Sequence, residues 1–324
     1  MEEKEAIEVN SVRPSSLRHI VGQRQVVEIV TTEIDAAQMD NKKFDSALLV
    51  GPPGCGKTSV SHIIAEEMAA SFIEVDGLSV KNLAELNALL LSAKEDKTII
   101  FIDEAAELDP SMQVALYMAL DQRKIVVSGS KSGGSPLTIP LADFTLLLAT
   151  THEADLLQPL RDRMRLVLRF QFYSDQELAE LVRLRCVGLR WPVDAEVLPE
   201  IAKRSRGTPR LALRLLQSCR RVCRSLGEHT ITLQHLQRAC VLEQTDELGL
   251  GPTDQQYLKI LSNGANRVGV LSSMLGLPVR TIQDVVESFL LRSGLIVKDD
   301  QGRRQLTQQG MDHCRNPVKL PSDS

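Results

Sequence analysis

Apolar positions in the first half of the chain fall in short runs rather than in long stripes. SALLV at 46–50, SFIEVD at 71–76, TIIFIDE at 98–104 and TLLLATT at 145–151 are rich in Leu, Ile, Val and Phe. Runs of this kind suit strands buried on both faces of a parallel sheet. Between them, residues 57–69 and 83–94 repeat their apolar positions with a helical period. Strands alternating with helices predict a parallel sheet covered on both faces, with ligands at the carboxyl ends of the strands. Ahead of this region, residues 1–12 read as a polar tail, and the chain becomes periodic from RPSSLRHIVGQ.

Residues 123–141, RKIVVSGSKSGGSPLTIPL, place two β-like arms around a Gly/Ser-rich tip, the pattern of an exposed hairpin. From Asp175 the period becomes helical throughout, and the stretch to residue 246 predicts a small all-helical domain. It carries Arg204, Arg206, Arg210, Arg214, Arg220, Arg221 and Arg224. TDELGLGPTD at 245–254 has the Gly, Pro and Asp content of a linker. Three short helical segments follow, then GLIVKDDQGRRQLT, which reads as a β-hairpin. Helices followed by a hairpin outline a winged helix. The expected architecture is therefore α/β: a parallel-sheet domain over 1–174, a helical domain over 175–246 and a winged-helix domain over 247–324.

Composition narrows the picture. The 324 residues are 43% hydrophobic, enough for sizeable cores. No run approaches the roughly 20 apolar residues that cross a bilayer. The N-terminus, MEEKEAIEVN, has no apolar signal segment, so no membrane association and a cytoplasmic location are expected. The net charge of −4 argues against a generally basic coat for nucleic acid, though a local basic patch stays compatible with it. Aromatic residues make up 3%, too few for platforms that stack single-stranded bases. The six cysteines form no CxxC pair and no zinc-like cluster with histidine, so they are expected to be buried or lid-face thiols in a reducing compartment.

The densest chemistry lies in GPPGCGKT, residues 51–58, a full match to G-x-x-x-x-G-K-[ST] placed between a predicted strand and a predicted helix. Gly51, Gly54 and Gly56 let backbone N–H groups face phosphate oxygens, and Lys57 adds a point charge toward the β- and γ-phosphates. Thr58 offers a hydroxyl to Mg²⁺, and the following helix turns its positive end to the anion. In IIFIDEAAE, Asp103 ends a strand and suits the metal's shell, while Glu104 suits the orienting of an attacking water. Thr151 ends another strand and is a candidate contact to that water. PLRDRMR puts Arg161, Arg163 and Arg165 just beyond it. These are either a solvated basic edge or the source of an arginine that completes a neighbouring subunit's site. In RGTPRLALRLL, Pro209 fits the first turn of a helix, and Arg210 beside it either reaches the nucleotide or forms a salt bridge.

Taken in order, RPSSLRHIVGQ, GPPGCGKT, HIIAEE, IFIDE, FTLLLATT, PLRDR, FYSDQELAEL and IAKRSRGTPRLALRLL resemble the RuvB family of the AAA+ superfamily. Its members are motors that drive branch migration of Holliday junctions. The likeness spans about residues 11–315. It implies a P-loop AAA+ sheet domain, a helical lid and a C-terminal winged helix that act as an ATP hydrolase, with Mg²⁺ and ATP bound and ADP as product. Arg13 and Pro14 then match the segment that packs on adenine. Gly54, Cys55, Gly56, Lys57, Thr58 and Ser59 match the nucleotide loop, and Asp103 and Glu104 the second ATPase motif. Thr151 matches the sensor at the strand end, Arg163 the arginine finger, Arg210 the lid's sensor arginine and Tyr173 a tyrosine beside the nucleotide. Lys298 and Arg303 match basic positions of the wing that meet DNA phosphates. The 123–141 hairpin matches the one that docks on RuvA, the junction-binding partner. The resemblance also implies a ring of six subunits around DNA.

The chain departs from the family pattern in places. Ala106 stands where a histidine is usual, and Cys55 where leucine is usual. The hairpin tip is more polar and glycine-rich, and the wing carries Asp299 and Asp300. Across 249–324 nine Lys and Arg face seven Asp and Glu, a thin excess for a surface whose affinity follows phosphates neutralised. Two other readings stay open: an AAA+ switch that remodels a protein partner, and a nucleotide-gated regulator that reads DNA through its winged helix.

Overall fold

The computed structural model describes residue 9 and residues 14–94, 97–127 and 137–315. The chain divides into two compact units, residues 10–173 and residues 174–324 together with 1–9.

The first unit runs α1 (Arg24–Met39), β1 (Ala47–Val50), α2 (Lys57–Glu67), β2 (Ser71–Asp76), α3 (Leu83–Leu91), β3 (Thr98–Asp103) and α4 (Pro110–Gln122). It continues with β4 (Lys124–Val127), β5 (Leu137–Pro140), β6 (Phe144–Thr150), α5 (Gln158–Arg161) and β7 (Leu166–Arg169). Five strands form a parallel sheet in the order β2-β3-β6-β1-β7. All seven residues of β6 are buried, as a central strand of a two-faced sheet requires. Leu48, Ile100, Ile102, Leu146 and Leu148 pack with Leu86, Leu116 and Leu160 from the helices into one core. Helix α3 starts where Asn82 accepts from the Glu85 N–H, a side-chain cap on an orphan donor.

The short runs predicted from the sequence are strands at nearly the predicted residues. Strand β7 is an addition to that reading. It holds one fully buried side chain, Leu168, between exposed arginine and valine, because an edge strand beside β1 needs little burial of its own. The predicted hairpin is present as the antiparallel pair β4 and β5, with its arms paired from Lys124 and Pro140 to Val127 and Leu137. Its tip, 128–136, lies outside the described residues.

The second unit begins with four helices, α6 (Asp175–Leu189), α7 (Val197–Lys203), α8 (Pro209–Ser225) and α9 (Leu233–Glu243). Ser174 and Glu177 close a capping box at the start of α6. Helix α8 buries Ala212, Leu215, Leu216, Cys219, Val222 and Cys223 on one stripe and leaves Arg214, Arg221 and Arg224 exposed. Cys55, Cys186, Cys219, Cys223 and Cys240 are therefore buried groups, whereas Cys314 is half-buried. Burial pushes the Cys186 thiol up to about 11, so it stays protonated at neutral pH.

The same unit continues through α10 (Pro252–Leu261), β8 (Asn266–Arg267), α11 (Val268–Leu275) and α12 (Val279–Thr281). A π turn over Ile282–Glu287 leads into α13 (Ser288–Arg292), β9 (Ile296–Lys298), β10 (Arg303–Leu306) and α14 (Gln308–Arg315). Helices α10 to α14 and a β8-β10-β9 sheet around Tyr257, Leu271, Ile282 and Leu290 make the winged helix that the pattern predicts.

Residues 245–254 do not behave as a free linker. Gly249, at φ +75°, leaves no room for a side chain, since a Cβ there would sit 2.1 Å from the Arg204 carbonyl oxygen. Arg206 Nε donates to the Gly249 carbonyl at 2.7 Å, and its guanidinium pairs with Asp254. That guanidinium also lies 5.1 Å over the Phe289 ring, and Arg292 donates back to the Arg206 carbonyl at 2.5 Å. The Gly, Pro and Asp content marks a turn, and the turn is packed.

Candidate functional site

Because β3, β6 and β1 are neighbours in the sheet, their carboxyl ends lie side by side. This single fact of topology gathers residues 51–58, 103–104 and 151, which are far apart in sequence.

The loop after β1 depends on glycine at Gly51. Its φ is +151°, and a Cβ would lie 2.5 Å from the Phe170 carbonyl oxygen and 2.7 Å from Phe170 Cβ. The Phe170 N–H donates to the Val50 carbonyl at 2.7 Å, so the chain leaving β7 is fixed against this turn. Gly56, in the left-handed region, caps α2, and Lys57 is the first helical residue. Lys57 is buried, and its ammonium donates to the carbonyls of Gly51 at 2.7 Å and Pro52 at 3.1 Å. Cys55 is fully buried, and Ser59 lies half-buried in the first turn of α2. Tyr173 is buried with its hydroxyl donating to the Cys55 carbonyl at 3.4 Å, which places it against the loop.

Thr58 Oγ1 donates to Asp103 Oδ2 at 3.2 Å, so the hydroxyl and the carboxylate meet. The other oxygen, Asp103 Oδ1, accepts the Glu104 N–H at 3.0 Å. Glu104 has left-handed backbone, φ 46°, as the chain breaks out of β3. Thr151 lies one residue past the end of β6, and both its N–H and its hydroxyl donate to Glu104 Oε2, at 3.4 and 3.3 Å. Thr151 Oγ1 also lies 2.9 Å from His152 Nδ1, a neighbour that the sequence reading passed over. Its only signal was its place directly after a strand end.

Arg163 is bound within its own chain. Its Nε and terminal nitrogen both donate to Asp121 Oδ2, at 2.9 and 2.6 Å, and its guanidinium lies 5.0 Å over the Tyr117 ring. The hydrogen bond from Arg163 holds the Asp121 carboxyl below the usual carboxylate range. Asp121 was not a sequence candidate. Arg165 pairs with Asp45, whereas Arg161 keeps a buried Nε without a hydrogen-bond partner. Pro14 is half-buried ahead of a short 3-10 turn at Leu17–His19. Arg13 lies outside the described residues.

In the second unit Arg210 is exposed at the second position of α8, after Pro209 at the first. The wing is less open than its basic residues suggest. Arg303 Nε donates to Asp299 Oδ2 at 2.7 Å, and its backbone N–H donates to Asp299 Oδ1 at 2.8 Å. That side-chain hydrogen bond is the main reason the Asp299 carboxyl is held low. Lys298 Nζ lies 3.6 Å from Glu287 Oε2. Glu287 is fully buried at the end of the π turn, where Arg304 reaches it at 2.8 and 3.0 Å and the Tyr257 hydroxyl at 2.9 Å. Burial, with Glu287 next, raises the Tyr257 hydroxyl, which therefore remains a donor.

A glycine-rich loop entering a helix, acids at the end of a strand one place removed in the sheet, a helical bundle and a winged helix together define a P-loop ATPase of the AAA+ class. Within that class the chain belongs to the RuvB family. The model described as the Holliday junction DNA helicase RuvB P-loop domain matches residues 12–170. The RuvB AAA lid domain matches 173–246, and the RuvB C-terminal winged helix domain matches 247–315. The Holliday junction branch migration complex subunit RuvB of Nitratiruptor sp. is 36% identical over 297 residues, covering 90% of this chain and 88% of that one. The same-named subunit of Chloroflexus aurantiacus is 35% identical over 321 residues, covering 97% and 91%. The solved structure of the Thermotoga maritima RuvB Holliday junction branch migration motor is similar with a TM-score of 0.82 and 29% identity, covering 94% of this chain and 98% of that one. A proline-to-glycine mutant of the same protein gives 0.84 at 30% identity, covering 94% and 99%. Among the described residues no helix is long and apolar enough to cross a membrane.

Proposed function

We propose that this chain hydrolyses ATP to drive branch migration of four-way DNA junctions. The observation that carries the reading is the convergence of Lys57, Thr58, Asp103, Glu104 and Thr151 at the ends of three adjacent strands. Residues 54–59 cradle the phosphates. Lys57 exchanges the carbonyls of Gly51 and Pro52 for phosphate oxygens, which carry more charge. Arg13, Pro14, Tyr173 and Arg210 are the further candidates for nucleotide contact that the family likeness supplies. Glu104 orients the attacking water, with Thr151 beside it.

Thr58 and Asp103 fit a magnesium ion, since both are hard oxygen donors already 3.2 Å apart. When bound, the metal neutralises charge developing on the phosphates. Arg163 completes the site of a neighbouring subunit in a six-membered ring, so it must leave Asp121 to act. Lys298 and Arg303 meet the DNA backbone, and the β4–β5 hairpin meets a RuvA-like protein. The functional domains divide as 1–174, 175–246 and 247–324.

One observation favours a second reading, an AAA+ switch acting on a protein partner: Arg303 is occupied by Asp299, and Lys298 faces Glu287. Steady-state ATPase rates, with and without a synthetic four-way junction and with and without RuvA, separate the two. A rate that rises with junction and RuvA together supports the motor. A rate indifferent to both removes it in favour of the protein-remodelling switch.

A further inference from the structure

Thr151 has one hydroxyl proton and two acceptors within reach of it. Its Oγ1 is 3.3 Å from Glu104 Oε2 and 2.9 Å from His152 Nδ1. The His152 backbone is fixed by its own N–H, which donates at 3.0 Å to Oγ1 of the fully buried Thr150. The ring is thus delivered to the Thr151 hydroxyl by the end of β6.

A neutral imidazole carries one N–H and one bare nitrogen. With the proton on Nε2, Nδ1 is an acceptor and takes the Thr151 proton over the shorter of the two contacts. Glu104 Oε2 then keeps the weaker Thr151 N–H contact at 3.4 Å. With the proton on Nδ1, Thr151 accepts from the ring and turns its own proton to Glu104, which is held by two donors. A hydroxyl aimed at Glu104 Oε2 occupies the oxygen that would otherwise accept from an attacking water.

We infer that His152 is a positioning residue for Glu104, acting through the Thr151 hydroxyl. With Nδ1 accepting, the carboxylate is released to orient water; with Nδ1 donating, it is held on Thr151. His152 itself touches neither water nor nucleotide in this scheme. The inference rests on the proposed ATP hydrolysis and adds to it a control that the second ATPase motif does not contain.

The test is steady-state ATPase of the full chain with a four-way junction, alongside equilibrium binding of a fluorescent ATP analogue. His152→Phe removes the acceptor and leaves Glu104 as the partner of the Thr151 proton. A several-fold fall in kcat is expected, with analogue affinity and KM unchanged. His152→Asn places an amide at the position of Nδ1 and restores most of the rate, whereas His152→Gln places it at Nε2 and does not. That pair decides the question even if the phenylalanine variant fails to fold. In a Thr151→Val background His152→Phe has no further effect, because the hydroxyl that links the two is gone. Equal rates for the Asn and Gln variants overturn the inference, as does an undiminished His152→Phe effect in that background or a loss of affinity in place of turnover. If the unaltered chain hydrolyses ATP but ignores His152, this inference alone falls. If the unaltered chain hydrolyses no ATP, the proposed function falls with it.

Discussion

At the carboxyl end of the sheet, Lys57 rests on the carbonyls of Gly51 and Pro52, and Asp103 on the Thr58 hydroxyl. In the wing, Arg303 rests on a carboxylate, Asp299, and Lys298 and Arg304 face another, Glu287. A carbonyl or hydroxyl is a partial charge that a phosphate or metal readily displaces. A carboxylate is a full charge that competes with a DNA phosphate on nearly equal terms. The two regions teach that the presence of a cation says little about its readiness; the partner it holds in the resting protein decides that. Arg163 is an intermediate case, since its Asp121 partner is a carboxylate, though an exposed one worth little in free energy.

The largest expected effect tests whether Arg163 leaves its carboxylate at all. Arg163→Ala is expected to slow hydrolysis by roughly 10³-fold or more while nucleotide affinity stays unchanged. Parallel ATPase and binding measurements check this, and full turnover in the variant removes Arg163 from the finger role. Next comes the buried carboxylate of the wing. Glu287→Ala leaves the buried Arg304 guanidinium without its carboxylate, keeping only the Gly302 carbonyl, and is expected to cost about 3–5 kcal/mol of stability. Urea unfolding of the full chain, followed by a probe in the winged region, reads the loss directly. The smallest effect sharpens the comparison most. Asp299→Asn frees Arg303, so duplex affinity should rise and the slope of log affinity against log salt should steepen by about 0.9 for one added phosphate contact. An unchanged slope means that Arg303 does not meet DNA.

The sequence made the sheet and its loop legible because both are local. The run TIIFID is a strand and 51–58 is a loop from their own composition, and the parallel order of α/β units then brings 103–104 and 151 to one end. Interactions that cross the fold were harder to see. Glu287 and Arg304 stand seventeen residues apart on different elements, and nothing in either neighbourhood announces that both are buried. The acids of the wing were noticed as charges that weaken a basic surface. Their geometry, with Asp299 accepting from both the side chain and the backbone of Arg303, required the turn to be built. His152 was missed because a lone histidine after a strand carries no motif. The stretch 245–254 was misread because glycine and proline indicate where a chain turns, which is a different property from whether the turn is packed.

That packed turn has a mechanical meaning. With Gly249 wedged on Arg204 and Arg206 bracing Asp254 and Phe289, the helical bundle and the winged helix share a packed joint. A lever on a loose pin wastes the first part of every stroke, whereas one keyed to its shaft delivers torque from the start of the swing. A rotation imposed on the bundle is therefore passed to the wing through this turn, where Gly249 and Arg206 act together with Arg292 and the His313–Asp246 pair.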